Sequence, residues 1–218
     1  MGMMGSVFLI PIFAQTYLGY DATHTGYLFI PMAFMIIIAA PLGGSLTGKI
    51  QPRYVIAVST LVAALGLYLF TGIDARSNAL GIIIPMSVMA FGIGFGMAQR
   101  TNIIATIVPQ QEIGIASSIL ALARNIAGAF GIAVFGTILS NSTGSKVLEI
   151  ARFSSLHTFT PNIVGQFTSL IILKAQIEAY QTVFLYAFAV LLIGAVLALT
   201  IKVKEELKEG GEEILILE

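Results

Sequence analysis

The chain has 218 residues, of which 57% are apolar and only 10% are charged, with equal numbers of basic and acidic side chains. A soluble domain carries about 25% charged residues and covers its core with polar groups, so this composition excludes an ordinary soluble protein. The zero net charge gives no reason to expect nucleic acid as a partner, and the absence of cysteine excludes disulfides and thiolate-bound metals.

Long apolar runs define the predicted elements. A helix that crosses a membrane needs about 20 mostly apolar residues. Nine of the 22 charged residues lie beyond Ile201, and the other thirteen divide the preceding chain into apolar runs. We therefore predict an all-α membrane protein with six transmembrane helices, at residues 1–19, 25–48, 54–72, 79–107, 113–140 and 179–203. Kinks are expected at the prolines inside these spans, Pro11, Pro31, Pro41 and Pro85.

Two segments are too polar to span. Residues 141–178 include Lys146, Glu149 and Arg152, and we expect a long loop there with a short surface helix near residues 167–180. Residues 204–218 mix both signs of charge and are expected to form a solvated tail after the transmembrane unit of residues 1–203.

The positions of Lys and Arg predict the orientation, because cytoplasmic loops carry an excess of them. Six lie on one side of the predicted spans and four on the other. The majority side includes Lys49, Arg53, Arg100 and the tail lysines. This places the 49–53 loop and both termini in the cytoplasm, with the protein in the cell membrane.

Two predicted helices each have one small or polar face and one bulky face. Along residues 113–140 the small face carries Ser117, Ala121, Arg124, Gly128 and Gly131. Along residues 79–107 it carries Met89, Gly92, Gly96 and Gln99. Small residues let helix backbones approach closely, so we expect Gly92, Gly96, Gly128 and Gly131 to pack against other helices.

Arg124 lies near the middle of its predicted span, where a charge costs about 2.5–3.5 kcal/mol. In one interpretation it lines an aqueous cavity and meets substrate or a carboxylate. In the other, the span begins at Asn125 and Arg124 extends to the interface. Its position among small residues favours the cavity.

Other polar groups within the spans are Gln15, Gln99 and Asn125, which can contact substrate or bond neighbouring helices. Gly92, Gly94 and Gly96 do not form a dinucleotide-binding turn, since no strand precedes them. We find no nucleophile–base pair and no metal cluster, and expect neither enzyme activity, nor a metal, nor a cofactor.

Carboxylates are expected only at helix ends and in loops, at Asp21, Asp74, Glu112, Glu149 and Glu178. A proton-coupled carrier usually needs a group that gains and loses a proton inside the membrane. The chain therefore lacks a proton-binding carboxylate of its own in the predicted spans.

Several short motifs resemble those of a known family. They are Leu18-Gly19-Tyr20, Thr25-Gly26, Ile30-Pro31-Met32-Ala33, the loop from Gly44 to Arg53, Gln111-Glu112-Ile113-Gly114-Ile115-Ala116-Ser117-Ser118, Ala123-Arg124-Asn125, Gly128, Gly131 and Gly136. Together they look like the C-terminal half of a drug:H+ antiporter of the major facilitator superfamily, of the fourteen-helix EmrB/QacA type.

The resemblance implies one six-helix half of a two-half fold, with a substrate site at the midplane between the halves. It also implies a conformational latch in the loop after the second helix. Gly44, Lys49 and Arg53 fit that latch, but Gly48 stands where the family has an acidic residue. The latch is expected to be weakened.

The resemblance implies a part of a secondary transporter that exports amphipathic organic compounds or drugs in exchange for protons. Gln15, Gln99, Arg124 and Asn125 would line its cavity. We expect a truncated or divided gene, with an N-terminal half or a second copy as partner. The alternative is a membrane module that does not transport, either a fragment or a partner-binding subunit.

Overall fold

The computed structural model describes residues 2–74, 78–153 and 161–200. Within them the chain forms eight α-helices and no strand. The helices are α1 (Gly2–Tyr17), α2 (Ala22–Tyr27), α3 (Phe29–Gly44), α4 (Pro52–Leu69), α5 (Ala79–Phe95), α6 (Met97–Ile107), α7 (Ile113–Phe153) and α8 (Pro161–Leu199). The prediction of an all-α membrane fold is confirmed. The predicted tail, residues 204–218, lies outside the described residues.

Five segments of the described chain are long and apolar enough to cross a membrane. They are Ala22–Gly44, Pro52–Gly72, Ala79–Ile103, Gln110–Leu148 and Leu170–Leu199. The remaining predicted span, residues 1–19, corresponds to α1, an apolar helix of 16 residues. At 1.5 Å per residue α1 is about 24 Å long, somewhat less than the roughly 30 Å of bilayer hydrocarbon.

The second predicted span is divided at Leu28 into α2 and α3. Pro31 is the third residue of α3, lacks an N–H, and crowds the carbonyl of the residue four positions earlier. The span also begins earlier than expected, because the Asp21 carboxylate accepts a hydrogen bond from the His24 N–H and caps α2. That bond lowers the pKa of Asp21.

The fourth predicted span is likewise divided, at Gly96, into α5 and α6. Gly92, Gly94 and Gly96 give this stretch little intrinsic helix stability. The chain nevertheless keeps its direction, since the Gly96 N–H bonds the Gly92 carbonyl and the Arg100 N–H bonds the Gly96 carbonyl.

The predicted loop over residues 141–178 is wrong wherever the structure describes it. Helix α7 continues past Ser140 to Phe153, and α8 begins at Pro161, so the expected surface helix is part of α8. Hydropathy marks only the membrane-embedded length of a helix. Beyond that length, the 141–153 segment contains no proline that would end the helix. At 41 residues α7 is about 62 Å long, twice the hydrocarbon thickness.

The placement of Glu178 in a loop is also wrong, because it lies in α8. One turn later, the Gln181 side chain donates to the carbonyl of Ile73, which follows the end of α4. Glu178 is therefore at the end of the bundle, where it pairs with Lys146 of α7 and Lys174.

The helices form a well-packed group and a less covered one. Helix α4 packs against α5 and α8, α3 packs against α5, and α7 meets mainly α8 and α1. The main core includes Leu67, Met89 and Phe184. Phe70 stacks on Phe184, with 4.9 Å between ring centroids, at the end of the bundle near Ile73. The first half of α7 is exposed on most sides.

Candidate ligand cavity

A cavity of about 330 Å³ lies between α1, α3, α5, α6 and α7. Its lining is Met4, Val7, Met32, Ile93, Met97, Arg100 and Arg124. None of these residues belongs to α4 or α8, which pack behind the cavity wall. The site therefore combines a flexible apolar lining with two guanidinium groups.

Arg100 lies in α6, within the apolar segment Ala79–Ile103. One of its terminal nitrogens donates to the hydroxyls of Ser59 and Thr60, at 3.4 and 3.3 Å. Both hydroxyls donate in turn to the carbonyl of Ile56, which leaves their lone pairs directed to the arginine. A guanidinium has five N–H donors, so two long bonds to neutral oxygens leave most of its capacity unused.

Gly96 makes this contact possible. A Cβ built on Gly96 would collide with the Ser59 hydroxyl and lie 3.1 Å from an Arg100 nitrogen. Glycine at this break between α5 and α6 therefore lets α4 and the arginine approach each other.

Arg124 lies eleven residues into α7, roughly 16 Å along the helix axis. It is exposed and forms no hydrogen bond or ion pair within the described residues. Helix α7 packs closely only further along, where Gly128 meets Met4 and Gly131 meets Gly5. Arg124 was predicted to face a cavity, and here it lines one together with a second cation, Arg100.

The charged residues that line this cavity are both positive. Ion pairs in the described chain join His24 to Asp21 and Glu178 to Lys146 and Lys174, and none of the described ion pairs involves Arg100 or Arg124. No described carboxylate therefore neutralises Arg100 or Arg124. Two like charges in apolar surroundings repel each other, and an anion between them would gain from both.

The other three predicted cavity residues do not line this cavity. Gln15 and Asn125 are exposed. Gln99 is fully buried, and its amide nitrogen donates to the Thr47 hydroxyl at 2.9 Å and to the Gly43 carbonyl at 3.4 Å. Gln99 therefore links α6 to the end of α3 through interhelical hydrogen bonds.

The proposed latch residues lie on or next to the turn between α3 and α4. Gly44 lies near Ala98 of α6, Lys49 is exposed, and the Arg53 guanidinium stacks over the Tyr54 ring at 4.8 Å. Gly48 has a φ of +78°, a conformation that an acidic side chain would adopt only with strain. Glycine therefore suits this turn, at the position where the resemblance expects a carboxylate.

The glycines of the small faces lie at helix contacts. A Cβ on Gly92 would collide with the Ala63 nitrogen and lie 2.5 Å from the Ser59 carbonyl oxygen. On α7, a Cβ on Gly128 would lie 3.4 Å from Met4. The α4–α5 contact is therefore much tighter than the contact at Gly128.

Sequence reasoning missed Arg100 as a site residue, because it was counted among the cytoplasmic charges. Its position within an apolar run, four residues after Gly96, was a usable signal. The methionine lining gave no periodic signal, since Met4, Met32 and Met97 come from three different helices. Within the described residues, no three His, Asp or Glu side chains cluster in a way that could hold a metal.

A family model described as Major Facilitator Superfamily matches residues 1–214. The chain is 29% identical over 148 residues to the multidrug transporter protein MdtP of Bacillus subtilis (strain 168). That match covers 68% of this chain and 27% of MdtP.

Two further relatives come from mycobacteria. The multidrug resistance protein Stp of Mycobacterium tuberculosis (strain CDC 1551 / Oshkosh) is 30% identical over 136 residues, covering 62% of this chain and 25% of Stp. A triacylglyceride transporter of Mycolicibacterium smegmatis is 28% identical over 223 residues, covering 96% of this chain and 40% of that protein. The chain thus spans between a quarter and two fifths of these relatives, and it belongs to the Major Facilitator Superfamily.

Proposed function

We propose that this chain forms one half of a secondary transporter that exports amphipathic organic compounds or drugs in exchange for protons. The observation that carries the proposal is the cavity with Arg100 and Arg124, because charges inside a membrane protein typically mark a substrate or ion pathway. The relatives named as multidrug proteins support an organic substrate. The fourteen-helix type remains part of this proposal.

An N-terminal half is the proposed partner, supplied by a longer protein or a separate chain. The exposed face of α7, including Ser117 and Ala121, is small and would suit close helix contact. In a two-half carrier this face would border the central site, and the halves would rock against each other. Proton binding would fall to the partner, because Glu178 lies at the bundle end.

The turn from Gly44 to Arg53 would face the cytoplasm, with both termini on the same side of the cell membrane. Lys49 is exposed there and available to an acidic residue of the partner half. With Gly48 in a left-handed conformation, the latch would act through its cations alone.

Proton-driven dye efflux tests the proposal in cells that express this chain alone and together with a matching N-terminal half. We expect efflux from the pair and at least a fivefold lower efflux rate in Arg124→Gln. Lys174→Gln, whose side chain is 70% exposed outside the cavity, should keep the full rate. Absence of efflux from both the chain and the pair would remove the transporter function.

The second candidate is a membrane module that binds a partner without transport, favoured by the same uncovered face of α7. Single cysteines introduced at Asn125 and Gln15 distinguish the two, because the chain has no native cysteine. A transporter leaves Asn125 open to aqueous reagents in the assembled pair. A partner-binding module buries it.

A further inference from the structure

We propose that the cavity binds amphipathic anions: an organic acid whose head group lies between Arg100 and Arg124 and whose apolar part rests on the methionines. This inference rests on the proposed function, since it names the substrate class of the same cavity.

The charge of the cavity lining favours an anion. Arg100 and Arg124 both line the cavity, and neither is paired with a carboxylate of the described chain. A carboxylate, sulfonate or phosphate would accept charge-assisted hydrogen bonds from both guanidiniums. A neutral ligand would leave both charges uncompensated, and a cation would add a third charge of the same sign.

The Arg100 guanidinium keeps hydrogen-bond donors for a ligand. Ser59 and Thr60 accept hydrogen bonds from only one Arg100 nitrogen, and those bonds are long. The two hydroxyls hold the guanidinium against α4 without neutralising it. Arg100 is therefore held in place with donors left for an anion.

The rest of the cavity lining suits the apolar part of the ligand. The five other lining residues are Met4, Val7, Met32, Ile93 and Met97. Methionine side chains adapt to irregular apolar shapes, so the cavity would accept various tails. A volume of about 330 Å³ lies near the small end of the range for drug-sized ligands. It suits one acyl chain or one ring system beside a head group.

The test uses Val7→Cys, a change of similar size in the cavity wall, in the otherwise cysteine-free chain. The purified full chain in a neutral maltoside detergent is labelled with N-ethylmaleimide, an uncharged reagent, and the labelled fraction is measured by mass spectrometry. The probes share a twelve-carbon chain and differ in head group: dodecanoate, dodecanamide and dodecyltrimethylammonium. Ser45→Cys, exposed on the turn after α3 and outside the cavity, is the matched control.

We expect dodecanoate to protect Cys at position 7 at a concentration at least tenfold lower than the neutral and cationic probes, with no protection at position 45. Arg100→Gln and Arg124→Gln should each raise the half-protecting concentration of dodecanoate about tenfold, or ~1.4 kcal/mol. Equal protection by the three head groups overturns the proposal. That comparison needs no arginine variant, so a folding defect in the variants cannot obscure it.

Two sources could supply such an anion: a free organic acid or an anionic lipid head group. Labelling in phosphatidylglycerol nanodiscs and in phosphatidylcholine nanodiscs separates them. Protection by phosphatidylglycerol alone assigns the site to lipid, and protection only after dodecanoate is added assigns it to free acids. Efflux of cationic dyes without dodecanoate protection would overturn this inference while leaving the exporter standing. Protection by dodecanoate without any efflux would overturn the exporter function and leave the anion site standing.

Discussion

The α4–α5 interface and the first half of α7 use the same kind of residue in opposite ways. At the interface, Gly92 brings two helix backbones into contact. On α7, Gly114 has nothing within 4 Å of its Cβ position, and Arg124 has no partner among the described residues. A small-residue face thus predicts where a helix can be approached closely. It does not say whether the approaching helix belongs to the same chain.

Gly92→Ala should give the largest effect and tests the closed interface. The added methyl group would collide with the backbone of α4, which cannot move without separating the helices. We expect a loss of about 3 kcal/mol in the free energy of unfolding, followed by circular dichroism at 222 nm.

Gly114→Ala in the first half of α7 is the matched control, because nothing lies within 4 Å of that Cβ position. It should be neutral or stabilise the chain by at most about 1 kcal/mol, since alanine favours helix. Equal destabilisation by the two changes would remove the distinction between the packed and open regions.

The helices were predictable from sequence because lipid requires long apolar runs with internally bonded backbones. The breaks within the helices and the ends of the helices were less predictable. Pro31 signalled a kink but not its place at Leu28, since a proline perturbs the turn before it. Past Ser140 the polar sequence signalled departure from lipid, and only the contacts of Lys146 and Glu178 reveal that the helices continue side by side.

The candidate site was predictable only in part. Arg124 was identified because a charge inside an apolar run is conspicuous. Arg100 and the methionines meet it only through the packing of separate helices, which periodicity along one helix does not report. Gln15 and Asn125 show the converse limit, because polarity within a span does not fix which way a side chain faces.

The Gln99–Thr47 hydrogen bond should give an intermediate effect. Thr47→Val removes the acceptor of a 2.9 Å bond that is buried at Gln99 and exposed at Thr47, and we expect a loss of about 1 kcal/mol. Gln99→Met removes the donor together with a buried amide oxygen that has no partner within the described residues.

A double-mutant cycle on these two residues, measured by thermal unfolding in detergent, isolates the bond. We expect a coupling energy of about 0.6–1 kcal/mol between the two changes. Strict additivity would contradict the role of Gln99 in closing this side of the bundle.

Glu178→Gln should give the smallest effect, and it tests how α7 is held. With its first half uncovered, α7 depends on contacts along its second half, where Glu178 lies 3.5 Å from Lys146. Both side chains are about one third exposed, and Lys174 shares the carboxylate at 3.9 Å, so solvent and competition limit the pair to at most ~0.5 kcal/mol.

Amide hydrogen exchange in α7 near Lys146 should become faster in the variant at low salt, and the difference should disappear in 1 M salt, where the screening length falls to about 3 Å. Glu112→Gln, exposed just before α7, is the matched control and should leave that exchange unchanged. A difference that persists at high salt would mean that Glu178 holds α7 through packing or hydrogen bonding, and the open half of α7 would then be anchored by shape rather than by charge.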